Sequence, residues 1–498
     1  MRIRGYGCVA LVLALAAVAA AGCGESGGAD GSAQEASWPA PNGDAANHRR
    51  ATSSIDATSV ERLGVAWRVP LAGGFAATPI VLDGVVYAQD LLSNVYAIDL
   101  ASGRLRWRHD YEEVDIGPNG VNVVDGRVFG ATRTRAFALE AETGRELWST
   151  VLMRHPGDAI DMAPGYADGT VYISTAVATA GAVGTLYALD AGTGKARWSW
   201  RQVPEDLWGD RSVNSGGGLW HPPAFDGDGA LYVSTGNPLP FPGVEGRPWG
   251  ASRPGPNRWT NSIAKLDANT GHVLWARQVL PHDVYDWDLE GPVILDRVDG
   301  RLLAITAGKM GIVYAFDADS GRPIWRRSVG LHNGHDNDNL LALRGKEPFT
   351  RPTKILPGWW GGVETQMASD GRTVYAPVND LASVYDSGVR LQPADPTEGT
   401  GRMVALDVAS GRVRWDHRLP RSPYGAATIA NDLVFTTTYD GTVWALARED
   451  GEVVWRTRLS VGTNAPVAVA GDTLIAAASV PLNGEQPELV AYRLDAGG

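Results

Sequence analysis

Two cysteines are present in 498 residues, at positions 8 and 23. Neither lies in a Cys-x-x-Cys-His run, so no covalently attached c-type haem is expected. Cys8 falls in an N-terminal segment that reads as a leader, which leaves the exported chain without a disulfide. Cationic charge is also scarce: 44 Lys and Arg against 56 Asp and Glu give a formal net charge of −12. A phosphate backbone needs a basic footprint, so this balance argues against a nucleic-acid partner. Beyond the leader no apolar run reaches the length that crosses a bilayer.

The leader has the form of a signal peptide: Arg2 and Arg4 precede an apolar run, residues 9–21, too short to span a membrane. Its end, Ala20-Ala21-Gly22-Cys23, resembles a bacterial lipobox, which implies cleavage before Cys23 and lipid attachment to its sulfur. Residues 1–22 then form a lipoprotein signal peptide, and residues 23–45 a lipidated Cys with a Gly/Ser-rich tether. The folded region is placed at 46–498, exported and anchored to the cell envelope, facing the periplasm or the outer surface.

What the chain has in abundance is glycine and tryptophan, 61 and 18 residues, and both recur with a period. One unit reads aromatic-Ala-x-acid-x-x-(Ser/Thr)-Gly-x-x-x-Trp, as in "YAIDLASGRLRW" and "YALDAGTGKARW". It ends at Trp107, Trp148, Trp198, Trp275, Trp325, Trp415 and Trp455. Alternating residues on either side of a Thr-Gly or Ser-Gly turn make a β-hairpin. A second unit is an Asp-Gly turn between apolar runs, as in "IVLDGVVY", and it occurs eight times when two weaker copies are included. The counts agree if Trp67, in "VAWRVPL", supplies the outer strand that the C-terminal "LVAYRLD" lacks. The pattern predicts an all-β fold: an eight-bladed β-propeller of four-stranded antiparallel blades. Its ring is closed by the N-terminal strand of Trp67 joining the C-terminal blade. The acid and Trp of each repeat are packing devices in this scheme.

One stretch breaks the monotony. "PHDVYDWDLEG", residues 281–291, follows an outer strand and precedes an inner one, so it emerges on the face opposite the repeat turns. Trp220 in "GGGLWHPPAF", Asn237 in "STGNP", Lys309 in "AGKMG" and Asn379 in "APVND" lie in connections of the same face. Two long insertions fall there as well, and loops on one rim of a rigid scaffold are where binding resides. Singly, each residue has an ordinary structural role: Asp286 as a turn cap, Lys309 as its ion-pair partner, Asn237 as a turn-former before Pro238, Trp220 in packing. His221 and His282 are too isolated to be zinc ligands.

These motifs resemble the pyrroloquinoline quinone (PQQ) alcohol and glucose dehydrogenases, over nearly the whole chain from Ala51 onward. The resemblance implies Asp286 as catalytic base and Lys309 as the active-site cation. It also implies Trp220, Asn237, Asn379 and Lys309 as quinone contacts, and Asn237 with Asp286 as Ca²⁺ ligands. The implied reaction is oxidation of an alcohol or sugar hydroxyl, with electrons passed to a separate acceptor. Three positions depart from the family: Thr179 stands for the second carboxylate ligand of Ca²⁺, Asn119 for a quinone-binding Arg, and Ala76 for a Glu contact. Asp283, Asp288 or Glu290 is a candidate substitute metal ligand. The alternative is a non-catalytic propeller lipoprotein acting as an envelope assembly scaffold, since fold does not fix function.

Overall fold

Asp83 and Gly84 both adopt positive φ, 49° and 69°, and so turn Ile80–Leu82 back onto Val85–Gln89 in a tight hairpin. Val95–Asp99 adds to that pair, and Leu105–His109 completes the sheet from the other side of the Ser-Gly turn. In the computed structural model, which describes residues 37–177, 179–392, 394–480 and 485–496, this unit recurs as eight sheets. Each holds four antiparallel strands, consecutive in the chain in five sheets; an inserted short strand or hairpin interrupts two of the others, and the last takes one strand from the N-terminal side. The fold is an all-β propeller, and the described residues contain a single α-helix, Asp338–Leu343. The expected signal peptide, Cys23 and most of the tether lie outside the described residues.

The strand Leu63–Pro70 pairs antiparallel with Glu488–Leu494, from Leu63↔Leu494 to Pro70↔Glu488, and is the outer strand of the last sheet. The inner strand of that sheet, Ala468–Ala470, lies beside the inner strand of the first, Ile80–Leu82. Trp67 also docks where an outer-strand Trp should, its Nε1–H donating to the Leu100 carbonyl of the first sheet at 2.9 Å.

That dock is the joint between neighbouring sheets. Trp107, Trp148, Trp198, Trp275, Trp325 and Trp415 donate likewise to Ala141, Ala191, Ala268, Ala318, Val408 and Arg448, at 2.9–3.0 Å. Each ring lies against the repeat glycine of the next sheet. A Cβ added at Gly103 would stand 2.6 Å from Trp67, and one at Gly321 would stand 2.7 Å from Trp275. Both glycines also have positive φ, 71° and 66°. Glycine is therefore required twice over, by backbone and by space.

The segment before Leu63 is structured sooner than expected. Trp38 is 1% exposed and bridges to Val81, so residues 38–45, placed in the tether, belong to the folded region. The Trp38 indole is too large to leave in water when a core lies alongside. From there the backbone passes along the free edges of inner strands: Ala45, Ala46, His48 and Arg49 carbonyls accept N–H groups of Phe225, Leu295, Ser369 and Ile429. Arg49 is fully buried. Its guanidinium donates to Ala427 O (2.8 Å), Thr78 Oγ1 (3.0 Å), Thr428 Oγ1 (2.9 Å) and Asn42 Oδ1 (3.1 Å), joining the first and seventh sheets.

Two outcomes follow from this segment. Arg49→Met would leave several buried acceptors unpaired and should cost about 3–5 kcal/mol. Arg62→Met, at an exposed ion pair, should cost under about 1 kcal/mol; parallel urea melts compare the two. His48 is the second case. Burial opposes its protonation, but hydrogen bonds to Asp296 and Asp44 outweigh that and raise it to about 10. A raised pKa gives stability that is complete below the unfolded value of about 6.5 and lost as pH rises through 10. Melting temperatures from pH 6 to 10 should fall less steeply for His48→Gln than for the parent.

Candidate active site

Asp286 is presented by a loop that its own neighbours stiffen. The Asp283 carboxylate accepts the N–H groups of Tyr285 (2.8 Å) and Trp287 (2.7 Å), gripping the chain on both sides of Asp286. Burial pushes Asp283 up to about 6, against those hydrogen bonds and the Arg253 charge. Between the two gripped amides, Asp286 sits at φ 61°, a region that Asp tolerates better than most residues. The Tyr385 hydroxyl donates to the Tyr285 carbonyl at 2.7 Å and holds the loop from behind.

Lys309 meets this loop from the end of Arg301–Gly308. Its N–H donates to the Asp288 carbonyl at 3.1 Å, an approach that requires Gly308, where a Cβ would stand 1.9 Å from that oxygen. Nζ donates to Asp286 Oδ2 (2.9 Å) and Asp288 Oδ2 (2.8 Å), with Glu290 Oε2 at 3.8 Å. Asn237 completes the group: its Nδ2 donates to Asp286 Oδ1 (2.5 Å) and its backbone N–H to Asp288 Oδ1 (2.7 Å). Burial disfavours the Lys309 charge, but Asp286 and Asp288 reverse this and carry its pKa well above the usual lysine value. Asp286 is pushed up by burial, with Lys309 pulling the other way.

These residues line a cavity of about 560 Å³. Trp220, Asn237, Asp286 and Lys309, four of the five side chains expected to converge, share it. Asn379 does not line it. It belongs to the strand Thr373–Asp380, is 2% exposed, and exchanges backbone hydrogen bonds with Gly362 (2.8 and 2.9 Å). The strand runs further than the sequence suggested, so Asn379 holds the 358–362 loop from behind instead of facing the cavity. Of the departures from the family, Ala76 lines the wall, whereas Asn119 is buried with its Nδ2 on the Asp90 carbonyl at 2.9 Å. Thr179 is exposed and outside the cavity.

Sequence reasoning did not nominate one wall. Trp359 and Trp360 close the second insertion, residues 331–362, and Glu364 and Gln366 follow it; Tyr424 lies in the connection that enters the seventh sheet, and Tyr439 in a loop between two of its strands. The signal was available in "PGWWGGVETQ", an outer-to-inner connection on the same face with paired indoles and an acid. Glu364 is raised by burial to about 7, Lys309 opposing and Asp288 adding. His221 also lines the cavity, 3.3 Å from Gln366 Nε2, and burial holds its imidazole near 3, neutral.

The chain matches the family described as "Glucose/ethanol/alcohol dehydrogenase, beta-propeller domain" over residues 38–122 and 159–328. It also matches the description "Outer membrane protein assembly factor BamB" over 92–217 and 309–498. Among curated proteins it is 29% identical to the quinohemoprotein alcohol dehydrogenase ADH-IIG of Pseudomonas putida, over 84% of this chain and 68% of that one. It is 28% identical to the quinohemoprotein alcohol dehydrogenase of Comamonas testosteroni, over 85% and 69%. The solved structure of ADHIIG from Pseudomonas putida superposes with a TM-score of 0.81 at 24% identity, covering 93% of this chain and 81% of that one.

The cavity fits a flat quinone ring in part. Trp220 offers an indole platform and Lys309 a cation, within a volume usual for a small-molecule site. Among the described residues no guanidinium lines the wall to meet the carboxylates of such a cofactor. Calcium does not fit as the side chains stand. Both Asp286 oxygens and both Asp288 oxygens already accept hydrogen bonds and Asp283 is spent on its own loop, so the unpartnered carboxyl oxygens of the cavity are Glu290 Oε1 and Glu364 Oε2, and neither belongs to the expected pair Asn237 and Asp286. Among the described residues no three His, Cys, Asp or Glu side chains are arranged around a metal.

Lys309→Met should strand three buried carboxyls and cost about 3–5 kcal/mol near pH 8. The loss should shrink at pH 5, where protons take the place of the ammonium; melting temperatures of parent and variant at the two pH values give the comparison.

Proposed function

The chain belongs to the glucose/ethanol/alcohol dehydrogenase β-propeller family, and on that premise we propose that it is a PQQ-dependent dehydrogenase of an alcohol or sugar hydroxyl. The observation that carries this reading is the cluster Asp286–Lys309–Asn237 beside Trp220 in one cavity. In the same reading the eight sheets are eight blades, the ring is closed by Leu63–Pro70, and Cys23 is the lipid anchor of an exported protein. A separate acceptor takes the electrons onward.

The residues supply placement and proton chemistry. Asp286 takes the hydroxyl proton of the substrate at a carboxylate oxygen while the hydrogen on carbon departs, which is general-base work. Burial makes it a stronger base than an ordinary Asp, and the hydrogen bonds from Lys309 and Asn237 fix its plane. Lys309 remains positive and stabilises negative charge that develops nearby, in a site largely closed to water. Trp220 provides a face for a planar ring. When bound, the quinone supplies the redox step, accepting the hydrogen and its electron pair.

The second reading, a scaffold, is favoured by the assembly-factor match and by the missing guanidinium. The two separate in one assay. With PQQ and Ca²⁺ added, the dehydrogenase should show a bound-quinone absorbance and reduce a dye with one of a panel of alcohols. Asp286→Asn should lower that rate by about 10²–10⁴-fold. A chain that retains no quinone at stoichiometric concentration is the scaffold.

A further inference from the structure

The cavity wall carries more acid than its own cation answers. Asp286, Asp288, Glu290 and Glu364 all line it, and among the lining residues Lys309 is the one charged cation, since His221 is neutral. Lys309 engages Asp286 and Asp288 and reaches toward Glu290. The surplus acid is therefore on the side of Glu290 and Glu364, where burial raises both carboxyls toward the protonated form, and an arriving cation would favour their charged form. There the acceptors are unmet: Glu290 Oε1, Glu364 Oε2 and Gln366 Oε1 are buried without a hydrogen-bond partner, and Glu290 and Gln366 are each 6% exposed. A buried acceptor left unpaired costs about 1–3 kcal/mol, more when it is charged, so these oxygens are suited to a donor that arrives with a ligand.

The same side is aromatic. Trp359 and Trp360 stack at 4.8 Å and 21°, and Tyr424 meets Tyr439 edge-on at 5.5 Å. The Tyr424 hydroxyl donates to the Trp360 carbonyl at 2.9 Å, which joins the two pairs. Burial raises the Tyr424 phenol, and the charges of Glu364 and Glu290 add to that, so acids and rings lie within electrostatic reach of one another. Trp359, Trp360 and Tyr439 are half-buried rather than packed away, leaving ring surface to the cavity. Aromatic faces beside unpaired carboxylates are the chemistry that recognises a substituted ammonium.

We propose that this wall binds a substituted ammonium group, and that the substrate is an amino alcohol whose cation rests on Glu364, Glu290 and the rings of Trp359, Trp360 and Tyr439. The substrate assignment rests on the dehydrogenase reading; the binding assignment does not. With the ammonium on this wall, the hydroxyl end is directed toward Asp286, across the same cavity.

Two isosteres test the charge alone: choline, and 3,3-dimethylbutan-1-ol, which replaces the nitrogen by carbon. Calorimetric titration of the full chain without quinone should give choline binding at least tenfold tighter. Glu364→Gln should cut that preference at least fivefold. Equal affinity for the two, or glycerol displacing choline at equal concentration, overturns the proposal. Should Glu364→Gln fail to fold, the pair measured on the parent decides. The titration is then set beside dye reduction with added PQQ and Ca²⁺. Preferential choline binding with no dye reduced by any alcohol keeps the ammonium wall and removes the dehydrogenase. Dye reduction with neutral alcohols, joined to no preference for choline, does the reverse.

Discussion

An indole N–H donated to a carbonyl of the next sheet, across a glycine that leaves room for the ring, is the joint on which this molecule depends. A single such bond contributes about 1 kcal/mol, but it recurs from sheet to sheet, with a Trp ring packed into the joint each time. The joints lie on the outer strands, far from the axis. The connections on the opposite face are therefore free of structural duty and able to carry side chains that no packing argument would place there.

That freedom has been used to bury charge. Four carboxyls and an ammonium share one hollow, an arrangement that a loop-rich protein could not hold without collapse or protonation. Here the loop that carries Asp286 and Asp288, and the approach of Lys309 to it, are fixed by backbone. Asp283 sets the turn, Gly308 lets Lys309 approach, and Tyr385 and Asn261 hold the loop from behind. Rigid supports of this kind keep donors and acceptors in place without reorganisation when a charge develops.

The repeat was legible in the sequence because its devices are local. A Ser-Gly or Thr-Gly turn and a Trp four residues on declare a hairpin without reference to anything distant, and Trp67 could be paired with the C-terminal unit by counting. Trp220, Asn237, Asp286 and Lys309 were legible because topology assigns their connections to one face. Asn379 was misplaced because the end of its strand is set by pairing with Gly401 and Gly362, which no local pattern reveals. The aromatic wall and Glu364 were missed for a related reason: insertions have no period, so nothing marks which of their residues turn inward. The run from Trp38 to Ala45 was placed in the tether because it looks like a linker, and its worth lies in partners far along the chain, Val81 for Trp38 and Phe225 for Ala45.

The pairing of Leu63–Pro70 with Glu488–Leu494 has a consequence for synthesis on the ribosome. Arg68 and Glu488, which meet in that pairing, are 420 residues apart. A growing chain must carry one strand with a bare edge for most of its translation, while the local sheets form ahead of it. Contacts of such long sequence separation come late and slowly. Completion of the last sheet is then a final event, so a chain that stops short of its last strand should leave two unpaired edges exposed at once, a template for mispairing with its neighbours.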